Sequence, residues 1–216
     1  MIPRRYERIK QVLDKRQPDL SVLAEDVHKP HNFSAIIRTC DAVGVFEVHA
    51  VNRHSELPTY SQVAQGSEKW VGIRIHPDIA TAIKYLQQQD MAVYAAHFSD
   101  RAIDYRDVDY TKPTAILLGT ERYGVTATAA DLVDGHIIIP MLGMVQSLNV
   151  SVANAVILFE AQRQRLQAGM YDRPRIDAET YNKTIFEWGY PNIAAMYRQK
   201  GESYPELGEE GGILNG

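Results

Sequence analysis

The sequence is poor in cysteine and contains no long apolar run. Its 216 residues include one cysteine, Cys40, which excludes a disulfide framework within the chain. No apolar run approaches the roughly 18 residues that a membrane-spanning helix needs, and the N-terminal MIPRRYERIK lacks the apolar segment of a secretion signal. We therefore expect a cytoplasmic protein that makes no membrane contact.

Positive charge is scarce overall but concentrated at the N-terminus. The net charge of −4 argues against a protein that coats nucleic acid through bulk charge. Residues 1–16 nevertheless carry a basic cluster opposed only by Glu7 and Asp14. The cluster consists of Arg4, Arg5, Arg8, Lys10, Lys15 and Arg16. This pattern fits either a local phosphate-binding surface or an ordinary solvated helix face.

Strand and helix patterns alternate along most of the chain. Apolar runs typical of buried strands occur in LSVLAEDV, FEVHAV, MAVYAAHF, TAILLG and HIIIP, and segments of helical periodicity follow most of them. Such alternation predicts an α/β fold with a mostly parallel sheet and helices on both faces.

The two ends of the chain are predicted to be helical extensions of this body. We expect a basic helix in residues 1–18, the α/β domain in residues 19–169, and a helical extension with an acidic tail in residues 170–216. Because polar chain termini are often poorly ordered, the Gly- and Glu-rich tail is expected to be mobile.

The segment HKPHNFSAIIRT places polar residues at the start of a predicted helix. Asn32 is a plausible N-cap, and Arg38 follows an apolar stretch. Its guanidinium must reach a carboxylate, a phosphate or water, so a structural salt bridge and a functional contact are both open. His28 and His31 have no third ligand nearby, and we predict no metal site.

The segment LLGTERYGV joins a strand to a glycine-containing turn. Gly119 and Gly124 permit close backbone approach to a ligand, and Glu121 lies between them. The spacing is neither a dinucleotide-binding fingerprint nor a phosphate-binding loop, because Val125 stands where the lysine of the latter would be. A tight turn with surface charge is the alternative interpretation.

The segment IIIPMLGMVQSLNVSVANA leaves a strand at Pro140, crosses Gly143 and enters a long helix. Ser147 or Asn149 could cap this helix. Free backbone amides at such a helix start suit an anionic group, so the segment indicates a ligand-binding loop without naming the ligand.

Together, these three segments resemble the ordered motifs of the SpoU/TrmH branch of the SPOUT methyltransferases. The matches run through Asn32, Arg38 and Gly44, through Gly119, Glu121 and Gly124, and through Pro140, Ser147, Leu148 and Asn149. The resemblance spans roughly residues 3–190 and implies S-adenosylmethionine-dependent methylation of ribose 2′-hydroxyls in RNA. KRQPDLSVLAEDVHKPHN and LGMVQSLNVSVA look most similar to members that methylate guanosine 18 in the tRNA D-loop. A related activity on rRNA or on another tRNA nucleoside is the alternative.

The resemblance also implies a fold and a set of site residues. It implies a trefoil knot in the C-terminal part of the sheet region, and a homodimer through the knotted region in which the partner chain completes each site. The implied cofactor-binding residues are Leu118, Gly119, Thr120, Gly124, Ile139, Met141, Ser147 and Leu148. The implied catalytic set is Arg38, Asn32, Glu121, Ser147 and Asn149.

Within this set, two roles are open for Arg38. It could act as a general base, or it could remain charged and stabilise the developing alkoxide, because guanidinium groups normally stay protonated.

The expected partner is tRNA, and its candidate contacts lie at several places in the chain. They are Arg4, Arg5, Arg8, Lys10, Arg16, His31, Arg163 and Arg165. Arg163 and Arg165 could equally be charges that favour a helix C-terminus. An RNA-binding protein with an inactive methyltransferase fold and a small-molecule nucleotide enzyme are rival classes. The intact motifs disfavour the first, and the missing phosphate loops disfavour the second.

Overall fold

The computed structural model describes residues 1–27, 29–51, 69–120 and 123–214. The chain divides into two compact units. The smaller unit combines Met1–Gln17 with Tyr171–Gly216, and the larger unit is Pro18–Met170. The assignment of residues 1–18, 19–169 and 170–216 to separate functional domains stays a prediction.

In the larger unit, the described residues form one seven-stranded sheet in which every pairing is parallel. The strands are β1 (Leu20–Glu25), β2 (Glu47–Val51), β3 (Gly72–His76), β4 (Ala92–Ala96), β5 (Ile103–Asp104), β6 (Thr114–Leu118) and β7 (Gly135–Ile138). Their spatial order is β3-β2-β1-β6-β4-β7-β5. Every residue of β1 and β6 is buried, which explains their almost continuously apolar sequences.

Four α-helices of the described residues cover this sheet. They are α2 (Pro30–Val43), α3 (Ile79–Gln88), α4 (Ala127–Leu132) and α5 (Val150–Gln167), and a short 3₁₀ helix occupies Tyr105–Asp107. One core cluster contains Ile36 of α2 and Leu158 of α5, and a second contains Ile83 of α3 and Ala129 of α4. The predicted parallel sheet with helices on both faces is therefore confirmed.

Among the described α-helices of this unit, three begin with a residue whose side chain caps the helix, and α2 does not. Asp78, Thr126 and Asn149 each accept a hydrogen bond from a backbone N–H of the first helical turn. The prediction of Asn32 as an N-cap is wrong, because α2 already begins at Pro30 and Asn32 lies inside its first turn. Proline is favoured at this position, since its missing N–H would have no helical partner.

Two strands were not predicted. The strand β3, with sequence GIRIH, lies at the sheet edge, where Arg74 and other partly exposed residues break the apolar signal. The strand β5 has only two residues, too few to produce a periodicity.

The smaller unit contains α1 (Pro3–Leu13), α6 (Ala178–Gly189) and α7 (Pro191–Lys200). The expected mobility of the tail stays a prediction, and the structure describes contacts that the tail makes. Tyr204 stacks on Phe186 with ring centroids 4.7 Å apart, and Gly211 packs so closely on Tyr6 that a Cβ would lie 2.5 Å from its ring. Aromatic residues in and beneath the tail make these contacts. Among the described residues, no helix is long and apolar enough to cross a membrane.

Candidate active site

A cavity of about 830 Å³ opens beyond the carboxyl ends of three neighbouring strands, β6, β4 and β7. Leu118, Ala96 and Ile138 end these strands and line it. Ligands of parallel α/β sheets bind at this edge, because the strand-to-helix loops converge there.

All eight residues predicted to bind the cofactor line this one cavity. They are Leu118, Gly119, Thr120, Gly124, Ile139, Met141, Ser147 and Leu148. Asn149 of the predicted catalytic set lines it as well, and Glu121 lies outside the described residues.

Sequence reasoning missed the part of the wall that follows β4. Ala96, His97 and Phe98 line the cavity, and Phe98 is 84% exposed. The sequence does indicate that these residues end a predicted strand, MAVYAAHF, and strand ends are where a ligand cavity is expected. The neighbours of that strand in the sheet could not be read from the sequence.

The turn after β6 is closed by its own backbone. Thr120 N–H donates to Gly124 O over 2.9 Å, and Gly124 N–H donates to Thr120 O over 3.0 Å. A Cβ on Gly119 would lie 2.1 Å from the carbonyl carbon of Gly124, so only glycine fits there. Gly124 itself has a φ of 67°, in the left-handed region that favours glycine.

The loop from Ile139 to Asn149 has no regular secondary structure and ends at the cap of α5. The side chain of Asn149 accepts hydrogen bonds from Ser151 N–H at 2.9 Å and from Ser151 Oγ at 2.7 Å. Its Nδ2 donates to Oδ1 of buried Asn32 over 3.2 Å. This bond joins the first and third sequence motifs.

Arg38 does not line the cavity of its own chain, as far as the described residues define it. Its side chain is exposed on α2, and the described part of the chain offers it no ion pair or hydrogen bond. The alternative of a structural salt bridge is therefore not observed there.

His97 is the one titratable side chain among the described residues that line the cavity. Its ring meets His136 edge-on, with centroids 5.1 Å apart. Burial first, and then the nearby His136 and Arg101, lower the pKa of His97 below its ordinary value. These surroundings therefore favour the neutral form of the ring.

The predicted RNA contacts fall into exposed and buried groups. Arg4, Arg5, Arg8, His31 and Arg163 are exposed, and Lys10 is half-buried. Arg5 donates to Trp188 O over 3.3 Å, and Lys10 lies 3.5 Å from the Glu7 carboxylate.

Arg16 and Arg165 are fully buried, so the prediction that they contact RNA is wrong. The guanidinium of Arg16 lies 5.4 Å from the ring of Trp188. Arg165 pairs with the Asp19 carboxylate at 2.6 Å and donates to the backbone oxygen of Tyr110 at 2.8 Å. Both arginines therefore make contacts inside the protein that stabilise its fold.

Arg163, two positions before Arg165, faces the opposite way. Its side chain is 53% exposed and is held by the Glu160 carboxylate at 2.7 Å.

Among the described residues, no group of three or more His, Cys, Asp or Glu side chains could hold a metal ion.

Comparisons with known proteins agree with this geometry. Residues 19–159 match the SpoU rRNA Methylase family, and residues 163–216 match a family described as SpoU, rRNA methylase, C-terminal. The chain is 60% identical over 184 residues to a Thermus thermophilus protein, covering 85% of this chain and 95% of that one. It is 52% identical over 215 residues to an Escherichia coli K12 protein, covering 99% and 94%. Both relatives are named tRNA (guanosine(18)-2'-O)-methyltransferase.

Solved structures of SpoU and TrmH proteins have a similar fold. The TrmH/SpoU tRNA modifying enzyme of Aquifex aeolicus superimposes with a TM-score of 0.82 at 41% identity, over 88% of this chain and 97% of that one. AviRb of Streptomyces viridochromogenes, solved in complex with the cofactor AdoMet, has a TM-score of 0.62 at 26% identity, over 71% of this chain and 59% of that one.

Proposed function

The chain belongs to the SpoU rRNA methylase family, and we propose that it is a tRNA (guanosine(18)-2'-O)-methyltransferase. It transfers a methyl group from S-adenosylmethionine to the ribose 2′-hydroxyl of guanosine 18 in the tRNA D-loop. The observation that carries this assignment is the 52% identity to the Escherichia coli enzyme of that name over 99% of the chain.

The cavity fits S-adenosylmethionine in size and chemistry. Leu118, Ile139 and Leu148 provide apolar surface for a planar base, while the closely approaching loops provide backbone donors and acceptors. The residues that would hold the cofactor are Leu118, Gly119, Thr120, Gly124, Ile139, Met141, Ser147 and Leu148. When bound, the cofactor supplies a methyl group already activated by its sulfonium.

The protein's remaining task is to position the acceptor hydroxyl and make it nucleophilic, because a ribose hydroxyl stays protonated at neutral pH. We assign this task to Arg38. A guanidinium remains charged, so Arg38 stabilises the developing alkoxide and holds the adjacent phosphate. As the ribose oxygen forms its bond to the methyl carbon, the carbon–sulfur bond of the sulfonium breaks and the hydroxyl proton passes to water. The Asn32–Asn149 hydrogen bond positions the start of α2, the helix that carries Arg38, against the cavity loop.

We propose that Arg38 acts on the cavity of a partner subunit in a homodimer. Its exposure, and its absence from the cavity wall described for its own chain, support this arrangement. The dimer surface would lie along α5, where Val152, Phe159 and Leu166 are exposed at seven-residue spacing and therefore share one face. The neighbouring loop adds Leu142, which is completely exposed. A second copy of the chain would cover these apolar groups.

We also propose that the segment from Ile139 to Asn149 is the knotted crossing of the chain. The close approach of Gly119 to Gly124 and the many small residues around the cavity support such a crossing.

The chain would act in the cytoplasm, where its substrate tRNA is found. Exposed Arg4, Arg8 and His31 would contact RNA phosphates.

Methyl transfer from labelled cofactor to two tRNA transcripts tests the assignment. One transcript carries guanosine 18 and the other carries a different nucleoside at that position. We expect label in the first transcript alone. Equal labelling would keep a tRNA methyltransferase and discard the nucleoside. A parallel reaction offers rRNA in place of tRNA. Label in rRNA and in neither tRNA transcript would favour the activity named for a relative from Sinorhizobium meliloti, an rRNA methyltransferase at 28% identity.

A further inference from the structure

His97 occupies a fixed place in the cavity wall. Its backbone N–H donates to Ile137 O over 3.1 Å, which ties the end of β4 to β7. Its Nδ1 lies 4.0 Å from the point where a Cβ would stand on Gly124. The ring thus lies between His136 of β7 and the closed turn after β6, and that turn carries predicted cofactor-binding residues.

The surroundings of His97 lower the pKa of its ring. The groups that face it are His136 of β7 and Arg101 of the loop after β4, and neither can carry negative charge. His136 is 4% exposed and bonded to Ser99 Oγ at 2.6 Å. No carboxylate of the described residues contributes to the lowered pKa of His97.

We propose that His97 contacts S-adenosylmethionine as a neutral imidazole and that protonation of this ring expels the cofactor. The proposal rests on the proposed function and deepens it. S-adenosylmethionine is a net cation at neutral pH, because its sulfonium and ammonium outweigh its carboxylate. A charged His97 would repel it at short range within the same cavity, whereas a neutral ring can form a hydrogen bond. S-adenosylhomocysteine lacks the sulfonium charge and would be repelled less.

Linkage makes this proposal measurable on the unmodified protein. If a protonated His97 weakens cofactor binding, bound cofactor must lower the pKa of His97 by the same coupling. We expect NMR titration of the histidine ring protons to show a lower pKa for His97 with S-adenosylmethionine and a smaller change with S-adenosylhomocysteine. The buried pair His49 and His76, with ring nitrogens 2.9 Å apart on β2 and β3, should not respond and serves as internal control. An unchanged or raised pKa of His97 overturns the proposal.

Two variants test the same point by calorimetric binding. His97→Gln cannot take up a proton, so its affinity for S-adenosylmethionine should stay level on acidification while that of the native chain falls. His97→Lys carries a lasting charge and should lose about tenfold or more in affinity, with less loss for S-adenosylhomocysteine. Thermal unfolding confirms that both variants fold. Native-like binding by both variants at every pH would refute the role of His97. A native chain that binds no S-adenosylmethionine would instead refute the proposed function.

Discussion

At the scale of residues, burial separates two arginines that the sequence presents alike. Arg163 and Arg165 stand two positions apart in QRQR, about 200° apart around a helix. One therefore faces solvent and the other the protein interior. The sequence shows that they face different ways. It cannot show which one is inside, because that depends on where α5 packs.

This difference predicts unequal costs of substitution. Arg165→Ala removes the buried guanidinium that pairs with the Asp19 carboxylate and donates to Tyr110 O, so we expect a loss of roughly 3–5 kcal/mol in the free energy of unfolding. Arg163→Ala removes an exposed ion pair and should cost less than about 1 kcal/mol. Denaturant unfolding of both variants measures the difference. Equal losses would contradict the structural role of Arg165.

The exposure of Arg38 predicts a loss of activity without a loss of stability. Arg38→Ala should lower the rate of methyl transfer by roughly 100-fold or more, because a charge that stabilises the alkoxide is gone. Its melting temperature and cofactor affinity should match the native values, since the side chain is exposed and absent from the described cavity wall. Arg38→Lys, which keeps the charge, should retain more activity than the alanine variant. Near-native turnover of Arg38→Ala would remove this residue from the mechanism.

At the scale of elements, the sequence predicts the strands that are buried on both faces and misses those at the edge. The strands β1 and β6 are buried throughout and mostly apolar, whereas β3 is mixed and β5 is very short. Motif positions at strand ends located most of the cavity wall. His97 was missed because the placement of β4 between β6 and β7 is a property of the topology.

The closed turn after β6 predicts different effects for two cavity glycines. Gly119→Ala would force a Cβ within 2.1 Å of the Gly124 backbone, so the turn must open. We expect weaker cofactor binding and a loss of about 1–3 kcal/mol in unfolding free energy. Gly143→Ala meets nothing within 4 Å and should change stability by less than about 0.5 kcal/mol. Calorimetry and denaturant unfolding compare the two variants, and an unaffected Gly119→Ala would show that the turn tolerates a side chain.

The basic face of α1 predicts a salt-dependent contribution to tRNA binding. Replacing exposed Arg4 and Arg8 with alanine should weaken binding and flatten the plot of log affinity against log salt by roughly one to two units, because each phosphate contact releases counterions. Lys84→Ala, at an exposed position on α3, serves as the control. An unchanged slope in the double variant would mean that α1 presents only a solvated face.

At the scale of the whole molecule, the proposed homodimer raises the question of which chain supplies Arg38 to which cavity. In a heterodimer with Arg38→Ala in one chain and Gly119→Ala in the other, action across the interface leaves one site intact. We then expect about half of native activity after purification through two different tags. If Arg38 served its own cavity, both sites would be damaged and the heterodimer would be inactive. The parental homodimers, each with two damaged sites, provide the baseline.

The proposed reaction is tested most directly at a single oxygen atom. A tRNA assembled with 2′-deoxyguanosine at position 18 keeps the base and the D-loop but lacks the acceptor hydroxyl. We predict that the protein transfers labelled methyl groups to the all-ribose tRNA and none to the deoxy form, although both bind. Equal labelling of the two tRNAs would contradict the assignment of the ribose 2′-hydroxyl of guanosine 18 as the methyl acceptor.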